Sequence, residues 1–462
     1  MPHHFWTLDR LAAALRGRGT EEEQGKCLGG ALPRGSTAIR TISTDTRAIG
    51  AGDCFVALVG DRFDAHDFLD QAVTAGAGAL VVQRVPPIGT FPVPIYGVND
   101  TLVALGDLAT YWRSAWGGPV VAVAGSNGKT STKELVRAAL GSMYRVHATT
   151  GNLNNRIGVP LTLLAIPPET ECAVVEVGTS LPGEVATLRN IVRPDVAIVT
   201  CVAEEHLEGL GDLEGVLLEE SAVFDDIPIA ITPSAQPEIG DAATHRARRV
   251  IRAGLDDGDV RADRWSIDAS GQGTIVFDGV TVQPPLRGLH NLRNTMLALA
   301  AAQVYDVPIE AAAHAIVSMP VPPMRTAWHT VGRATLINDA YNANPGSARA
   351  AIDMLAAAQG SQRVVVLGTM RELGPDAARY HDDIARAAIA SPVDVIAGIG
   401  DFRDAFHRVA PKDPRVVTAP DVDELWPLLA SHLAPDATIL LKASRGVRLE
   451  RLIPYLTDWA TP

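Results

Sequence analysis

The sequence predicts an α/β protein in three parts: a small mixed N-terminal domain, a central, mostly parallel sheet with a β-rich insert, and a doubly wound C-terminal domain. Two observations carry this. At 462 residues the chain is about three times the ~150 residues of a common domain. Short, largely apolar runs such as CAVVEVG (172–178), DVAIVT (195–200), RVVVLG (363–368) and ATILLKAS (437–444) alternate with helical patterns, as parallel strands buried on both faces do.

Residues 1–97 form the first part. ISTDTRAIGAGDCFVALVG reads as two strands around a glycine turn, and HDFLDQAVTAGAGALVV as a helix, a glycine stop and a strand. The proline-rich PPIGTFPVPIYGV closes it. The second part, 98–320, opens with the helical pattern DTLVALGDLATYWRSAW, followed by the apolar strand VVAVA. It carries the β-rich stretch from about Gly258 to Pro285 and the long helical run HNLRNTMLALAAAQVY, and it ends at MPVPPM, read as a hinge. The third part, 321–462, contains the strands ATLIND, RVVVLG, VDVIAGIG and ATILLKAS between helical segments.

Composition narrows the functions. Lys and Arg total 40 against 53 Asp and Glu, a net charge of −13, which disfavours sequence-independent nucleic-acid binding but not a small anionic substrate in a locally basic cleft. The four cysteines, Cys27, Cys54, Cys172 and Cys201, form no CxxC pair, so neither a metal knuckle nor a disulfide framework is expected, and a reducing cytosol fits. The N-terminus lacks the apolar stretch of a signal peptide, and no run approaches the ~20 apolar residues of a membrane span. The expectation is a cytoplasmic protein without membrane insertion.

The chemistry concentrates in VVAVAGSNGKTSTKE (120–134). A buried strand ends at Ala124, a glycine-bearing turn follows, and Lys129-Thr130 opens a helix. Such a turn presents backbone N–H groups and a positive helix N-terminus to polyphosphate; the lysine reaches the outer phosphates and the threonine hydroxyl can hold Mg²⁺. Val123 stands where GxxxxGK[ST] has glycine, leaving a shorter GxxGKT on Gly125 and Gly128. The strand before and helix after it support nucleotide binding by Gly125, Ser126, Asn127, Gly128, Lys129, Thr130 and Ser131. The central part is then P-loop ATPase-like and the last Rossmann-like.

Ten segments in order, the phosphate turn among them, give the chain a family resemblance. They are STDTR (43–47), RFDAHDF (62–68), GSNGKTSTKE (125–134), GNLNNRIGVPLT (151–162), EVGTSLPGE (176–184), EEHLEGLGDLEG (204–215), GLHNLRN (288–294), DAYNANP (339–345), LGTMRELG (367–374) with His381 following, and KASR (442–445). Together they resemble the Mur ligase family of ATP-dependent amide-forming enzymes, over about residues 40–450. DAYNANP is typical of the member that adds D-alanyl-D-alanine to UDP-N-acetylmuramoyl-tripeptide. The resemblance implies that reaction through an acyl phosphate, with ATP and Mg²⁺, in a monomer. It implies a UDP-sugar domain (1–97), an ATP domain (98–320), and a last domain (321–462) that closes on ATP and binds the dipeptide. Folylpoly-γ-glutamate synthase shares the last two domains, but STDTR, RFDAHDF and a separate N-terminal domain count against it. A nucleotide-bound partner subunit without ligase chemistry is the non-enzymatic alternative.

By the same resemblance, Lys129 stabilises the β/γ-phosphates, Thr130 and Glu176 ligate Mg²⁺, and His206 binds a second Mg²⁺. Glu204 and Glu205 read as solvated loop charges. His290, Asn291 and Asn294 contact nucleotide, with Asn291 also a candidate helix cap; Arg325 reaches phosphate; Asp339, Tyr341, Asn342 and Asn344 lie near ribose and adenine. Ser43, Thr44, Asp45, Thr46 and Arg47 resemble the uridine-diphosphate pocket, Asp64 and His66 lie in a second substrate segment, Asn154 and Asn155 are assigned to substrate binding, and Lys442 and Arg445 to the dipeptide carboxylate. The family has a carbamoylated lysine beyond HLEG. A gap-free reading puts Glu220, within LEES (218–221), at its place. That keeps the negative charge with less reach and predicts activity independent of bicarbonate; the alternative is that Glu219 and Glu220 are solvated helix charges. Ala65, Thr369, Arg371 and Ala443 also depart from the family pattern.

Overall fold

The structure, a computed structural model, describes residues 5–16, 37–60, 62–87 and 89–460; Cys27 lies outside them. Two compact units are present: Met1–Pro119 with Thr149–Thr170 and Thr187–Arg193, and Val120–Ala148 with Glu171–Ala186 and Pro194–Pro462.

The first unit contains a four-stranded sheet of β1 (Ile42–Ser43), β2 (Cys54–Val56), β3 (Ala79–Val82) and β4 (Ile95–Gly97), paired in that order. All pairings are parallel, so the two strands read around the glycine turn run side by side rather than as a hairpin. Gly52, at φ +84°, turns the chain into β2, and the buried Asp53 carboxylate accepts from Gly50 N and the Arg40 guanidinium to hold that loop. The helix Thr101–Trp116 starts where the Asp100 side chain accepts from Leu102 N and Val103 N, and stops at Gly117 with φ +71°.

The second unit holds the other sheets. Seven strands are β5 (Val120–Ala124), β6 (Val146–Ala148), β7 (Cys172–Glu176), β8 (Val196–Val199), β9 (Ile227–Pro233), β10 (Ala247–Gly254) and β11 (Val260–Arg261). Their spatial order is β11-β10-β9-β8-β5-β7-β6, every pairing parallel. β5, β7 and β8 are buried throughout, which is why they read as unbroken apolar runs. The insert is an antiparallel sheet of β12 (Arg264–Ile267), β13 (Gly273–Phe277) and β14 (Val280–Val282).

The last part is a six-stranded sheet of β15 (Ala327–Val331), β16 (Ala334–Asp339), β17 (Arg363–Leu367), β18 (Val395–Ile399), β19 (Val416–Ala419) and β20 (Thr438–Lys442), in the order β15-β16-β20-β17-β18-β19. Only β15, on the edge, pairs antiparallel. Its two faces carry separate apolar clusters, one around Ile352, Ile384 and Phe402, the other around Leu425, Leu449 and Leu452. This is the α/β class that the sequence predicts. No helix among the described residues is long and apolar enough to cross a membrane.

Candidate active site

β5 lies between β7 and β8, and the chain leaves it in one direction for β6 and β7 and later returns on the other side as β8. Ligands of open parallel sheets bind beyond the carboxyl ends of strands at such a reversal. Three segments meet there: the turn after β5, Glu176 at the end of β7, and the loop 200–206 after β8. The turn is tightly built. Gly125 has φ +115°, and a Cβ on it would lie 2.3 Å from Thr200 Oγ1; Gly128 has φ +83°, and a Cβ there would lie 2.7 Å from Asn294 Nδ2. Only glycine satisfies both demands. Ser126 N donates to Cys201 O at 2.8 Å, and Thr200 Oγ1 donates to Asn127 O at 2.6 Å. The helix Lys129–Gly141 follows with Ser131 buried in its first turn.

Lys129 turns back over this loop. Its Nζ donates to Gly125 O, to Ser126 O at 3.2 Å and to Glu205 Oε1 at 3.2 Å. Burial alone would lower its pKa; Glu205, Glu220 and Glu176 outweigh that and hold it above its ordinary value. Thr130 Oγ1 donates to Glu176 Oε2 at 2.9 Å. Glu205, expected to be a solvated charge, is instead 4% exposed and is the lysine's ion-pair partner.

Glu219 and Glu220 are both buried, which removes the alternative of solvated helix charges. They end the helix Leu213–Ser221, where the helix dipole opposes negative charge. Each is held by donors from a different loop. Glu219 accepts from Gly183 N at 2.7 Å, Val185 N at 2.8 Å and Thr179 Oγ1 at 3.1 Å, fixing the loop beyond Glu176. Glu220 Oε2 accepts from Gly125 N at 2.7 Å, while its buried Oε1 has no hydrogen-bond partner. Burial pushes the Glu220 carboxyl up to about 7, against the pull of Lys129 and with Glu205 adding to the rise.

His206 has φ +54°; its Nδ1 bonds Glu372, and its Nε2 lies 4.0 Å from Glu205. Burial works against the imidazolium, but the Glu372 bond and Glu205 raise its pKa, and the same bond lowers that of Glu372. Glu372, which the sequence reading passed over, and Glu205, which it read as a solvated charge, both line the candidate site. Glu372 sits inside the LGTMRELG segment that marked the family; Glu205 directly precedes His206.

Other expected residues fall into two groups. Asp339 and Lys442 are register partners on β16 and β20 and form an ion pair at 2.7 Å, with Asp339 Oδ1 also accepting from Thr326 N. Lys442 is thus engaged within the sheet, whereas Arg445 is exposed and pairs with Glu450 at 3.1 Å. Arg325 lies 4.1 Å over the Tyr341 ring, and Asn342 is exposed. Asn291 does not cap its helix; Gly288 occupies the cap, and Asn291 Nδ2 donates to Arg287 O. Asn294 borders Gly128, and burial lowers the pKa of His290. Asn344 N-caps the helix Pro345–Ala357 and bonds Asn127.

In the first unit, Arg47 pairs with Asp45, holding that carboxyl down at about 2, and Ser43 Oγ accepts from Asp45 N, with Thr44 and Thr46 in the same loop. His66 Nδ1 bonds Asp64 at 2.7 Å and its Nε2 accepts from Gln83 N at 3.0 Å, so the ring is fixed by its own surroundings. Asn155 Oδ1 accepts from Ile157 N and Gly158 N, and Asn154 precedes it in the same turn.

The residues fit a magnesium ion that keeps phosphate and water ligands. Among the described residues no group of three His, Cys, Asp or Glu side chains is arranged to hold a metal by itself. Thr130 and Glu176 are adjacent, and Glu220 offers an unpaired buried carboxylate oxygen at the same loop. One or two protein oxygens completed by phosphate and water is the usual Mg²⁺ arrangement.

The chain matches the family models described as "Mur ligase middle domain" over residues 123–302 and "Mur ligase, glutamate ligase domain" over residues 324–445. A UDP-N-acetylmuramoyl-tripeptide–D-alanyl-D-alanine ligase of Escherichia coli is 34% identical over 444 residues, covering 94% of this chain and 97% of that one. The crystal structure of MurF from Acinetobacter baumannii superposes with a TM-score of 0.88 at 30% identity, covering 98% of this chain and 99% of that one. MurF ligase of Thermotoga maritima in complex with ADP gives 0.80 at 26% identity, covering 91% and 97%.

The raised Glu220 pKa makes a stability prediction. The native carboxyl keeps its proton up to about pH 7, whereas the unfolded one loses it near its ordinary value of 4.5. Native stability therefore falls as pH rises through that window, by about 3 kcal/mol at most, and levels off above it. In nucleotide-free scanning calorimetry, Glu220→Gln is expected to melt several degrees above the parent at pH 8 and within about a degree of it at pH 5. An offset that is the same at both pH values contradicts the assignment.

Proposed function

The chain belongs to the Mur ligase family, and from that premise we propose that it is the ATP-dependent ligase joining D-alanyl-D-alanine to UDP-N-acetylmuramoyl-tripeptide, completing the pentapeptide precursor of peptidoglycan in the cytoplasm. One observation carries the reading: Lys129, Thr130 and Glu176 converge at the carboxyl ends of β5 and β7, in a chain that matches such a ligase over nearly its whole length. In this reading the enzyme is a monomer in which residues 1–97 hold the UDP-sugar, 98–320 hold ATP, and 321–462 close on ATP and receive the dipeptide.

The chemistry follows from charge. A substrate carboxylate oxygen attacks the γ-phosphorus of ATP, the bond to the ADP oxygen breaks, and an acyl phosphate forms. The dipeptide amine then attacks the acyl carbon, inorganic phosphate departs with the C–O bond electrons, and the nitrogen gives up a proton. Both steps bring anions together, so they need cations in a dry site. Lys129 supplies one, kept protonated by Glu205, Glu220 and Glu176. Mg²⁺, held by Thr130 and Glu176, neutralises phosphate charge when bound. With Gly125 N and Ser126 N engaged by Glu220 and Cys201 O, the turn offers the phosphates the Asn127 and Gly128 N–H groups and the start of the helix Lys129–Gly141. The exposed Arg445 guanidinium suits the dipeptide carboxylate, and Lys442 acts through Asp339.

Two assays test this. Phosphate release is expected only when ATP, UDP-muramoyl-tripeptide and D-Ala-D-Ala are all present, and Lys129→Ala is expected to lower kcat by roughly 10²–10³-fold with the fold intact by circular dichroism. ATP hydrolysis without the acceptors, or no ligation with them, rejects the reading. Turnover of the parent enzyme in CO₂-stripped buffer is expected to equal that in bicarbonate, because the Glu220 side chain already places an acid of its own at the loop. Recovery of activity on adding bicarbonate contradicts that role.

A further inference from the structure

Asn127, in the phosphate turn, and Asn344, which begins the helix after β16, are 217 positions apart in sequence but pair face to face. Asn127 Nδ2 donates to Asn344 Oδ1 at 3.1 Å, and Asn344 Nδ2 donates back to Asn127 Oδ1 at 3.0 Å. The orientation of the Asn344 amide is dictated locally. Its Oδ1 also accepts from Ser347 N at 2.9 Å, as one half of a capping box, and a flipped amide would set two donors against each other. The second lone pair of Oδ1 and the Nδ2 group are then left for Asn127. Asn344 is 2% exposed and Asn127 is half-buried, so the pair is sheltered from water on the Asn344 side.

Asn127 is gripped from the other side through its backbone. Its carbonyl accepts from Thr200 Oγ1 at 2.6 Å, and Asn294 crowds the next residue, Gly128. The phosphate turn is thus fastened to the seven-stranded sheet by its main chain and to the six-stranded part by this one side chain. We propose that Asn344 is a positioning residue for nucleotide binding: through the reciprocal amide pair with Asn127 it holds the phosphate turn in register with the last α/β part, in addition to capping its own helix. The inference rests on the reading that this turn binds ATP.

The test uses the full-length protein with Asn344→Ser, Asn127→Ala and the double variant. Serine keeps an N-cap acceptor but is too short to reach Asn127. In nucleotide-free hydrogen exchange, peptides covering 124–131 are expected to exchange faster in both single variants, while the first turn of the helix Pro345–Ala357 keeps its protection in Asn344→Ser. By calorimetry, each single variant is expected to bind Mg-ADP about five- to tenfold more weakly than the parent, and the double variant no more than about twofold more weakly than either single. Unchanged exchange over 124–131, single-variant affinities within twofold of the parent, or a double effect equal to the product of the singles overturns the proposal. A parent protein that does not bind Mg-ADP instead rejects the nucleotide reading, and the exchange measurement then still decides whether the pair holds the loop.

Discussion

The site depends on one largely buried ammonium set among three buried acids. Lys129 lies over the loop, with Glu176, Glu205 and Glu220 at 1%, 4% and 0% exposure around it. Burying a charge is costly unless it is paired, and here the pairing outweighs the burial for the lysine but not for Glu220, whose carboxyl is pushed up to about 7. The acids outnumber the base, so the cluster is short of positive charge. A divalent cation at Thr130 and Glu176 would supply it. The same arrangement keeps Lys129 protonated at any pH at which the enzyme would work, which a phosphate-stabilising cation requires.

The helix Leu213–Ser221 is the part that makes the cluster rigid. Its last turn carries two adjacent acids against the helix dipole, an arrangement with no local advantage. Each acid satisfies backbone donors of a different loop: Glu219 those of 183 and 185 beyond Glu176, and Glu220 that of Gly125. One short helix thereby ties the loop beyond Glu176 to the turn after β5. Departure from a local rule marks a functional position here, as it often does where a site is held against its own preferences.

Much of this was legible in the sequence. β5, β7, β8, β16, β17, β18 and β20 are buried on both faces and read as apolar runs; the GxxGKT turn and its helix begin where the motif puts them. β15 and β19 were not legible, because they lie at sheet edges where half-exposed residues break the run. The burial of Glu205, Glu219 and Glu220 was not legible either, since a carboxylate on a loop or helix end is ordinarily solvated and only the packed loops supply its donors. The contacts His206–Glu372 and Asn127–Asn344 join segments 166 and 217 positions apart, a separation that no local pattern encodes. The resemblance named most of these segments, but not which of their side chains touch.

The central claim is that Lys129 is a phosphate-binding cation stored on its own loop by buried carboxylates. A crystal structure with Mg²⁺ and a non-hydrolysable ATP analogue tests it most directly. The account predicts that Lys129 Nζ leaves Gly125 O and Ser126 O for the β/γ-phosphates, while Glu220 keeps its hydrogen bond from Gly125 N and the metal binds Thr130 and Glu176. A nucleotide bound elsewhere, with Lys129 still on the loop carbonyls, would contradict it.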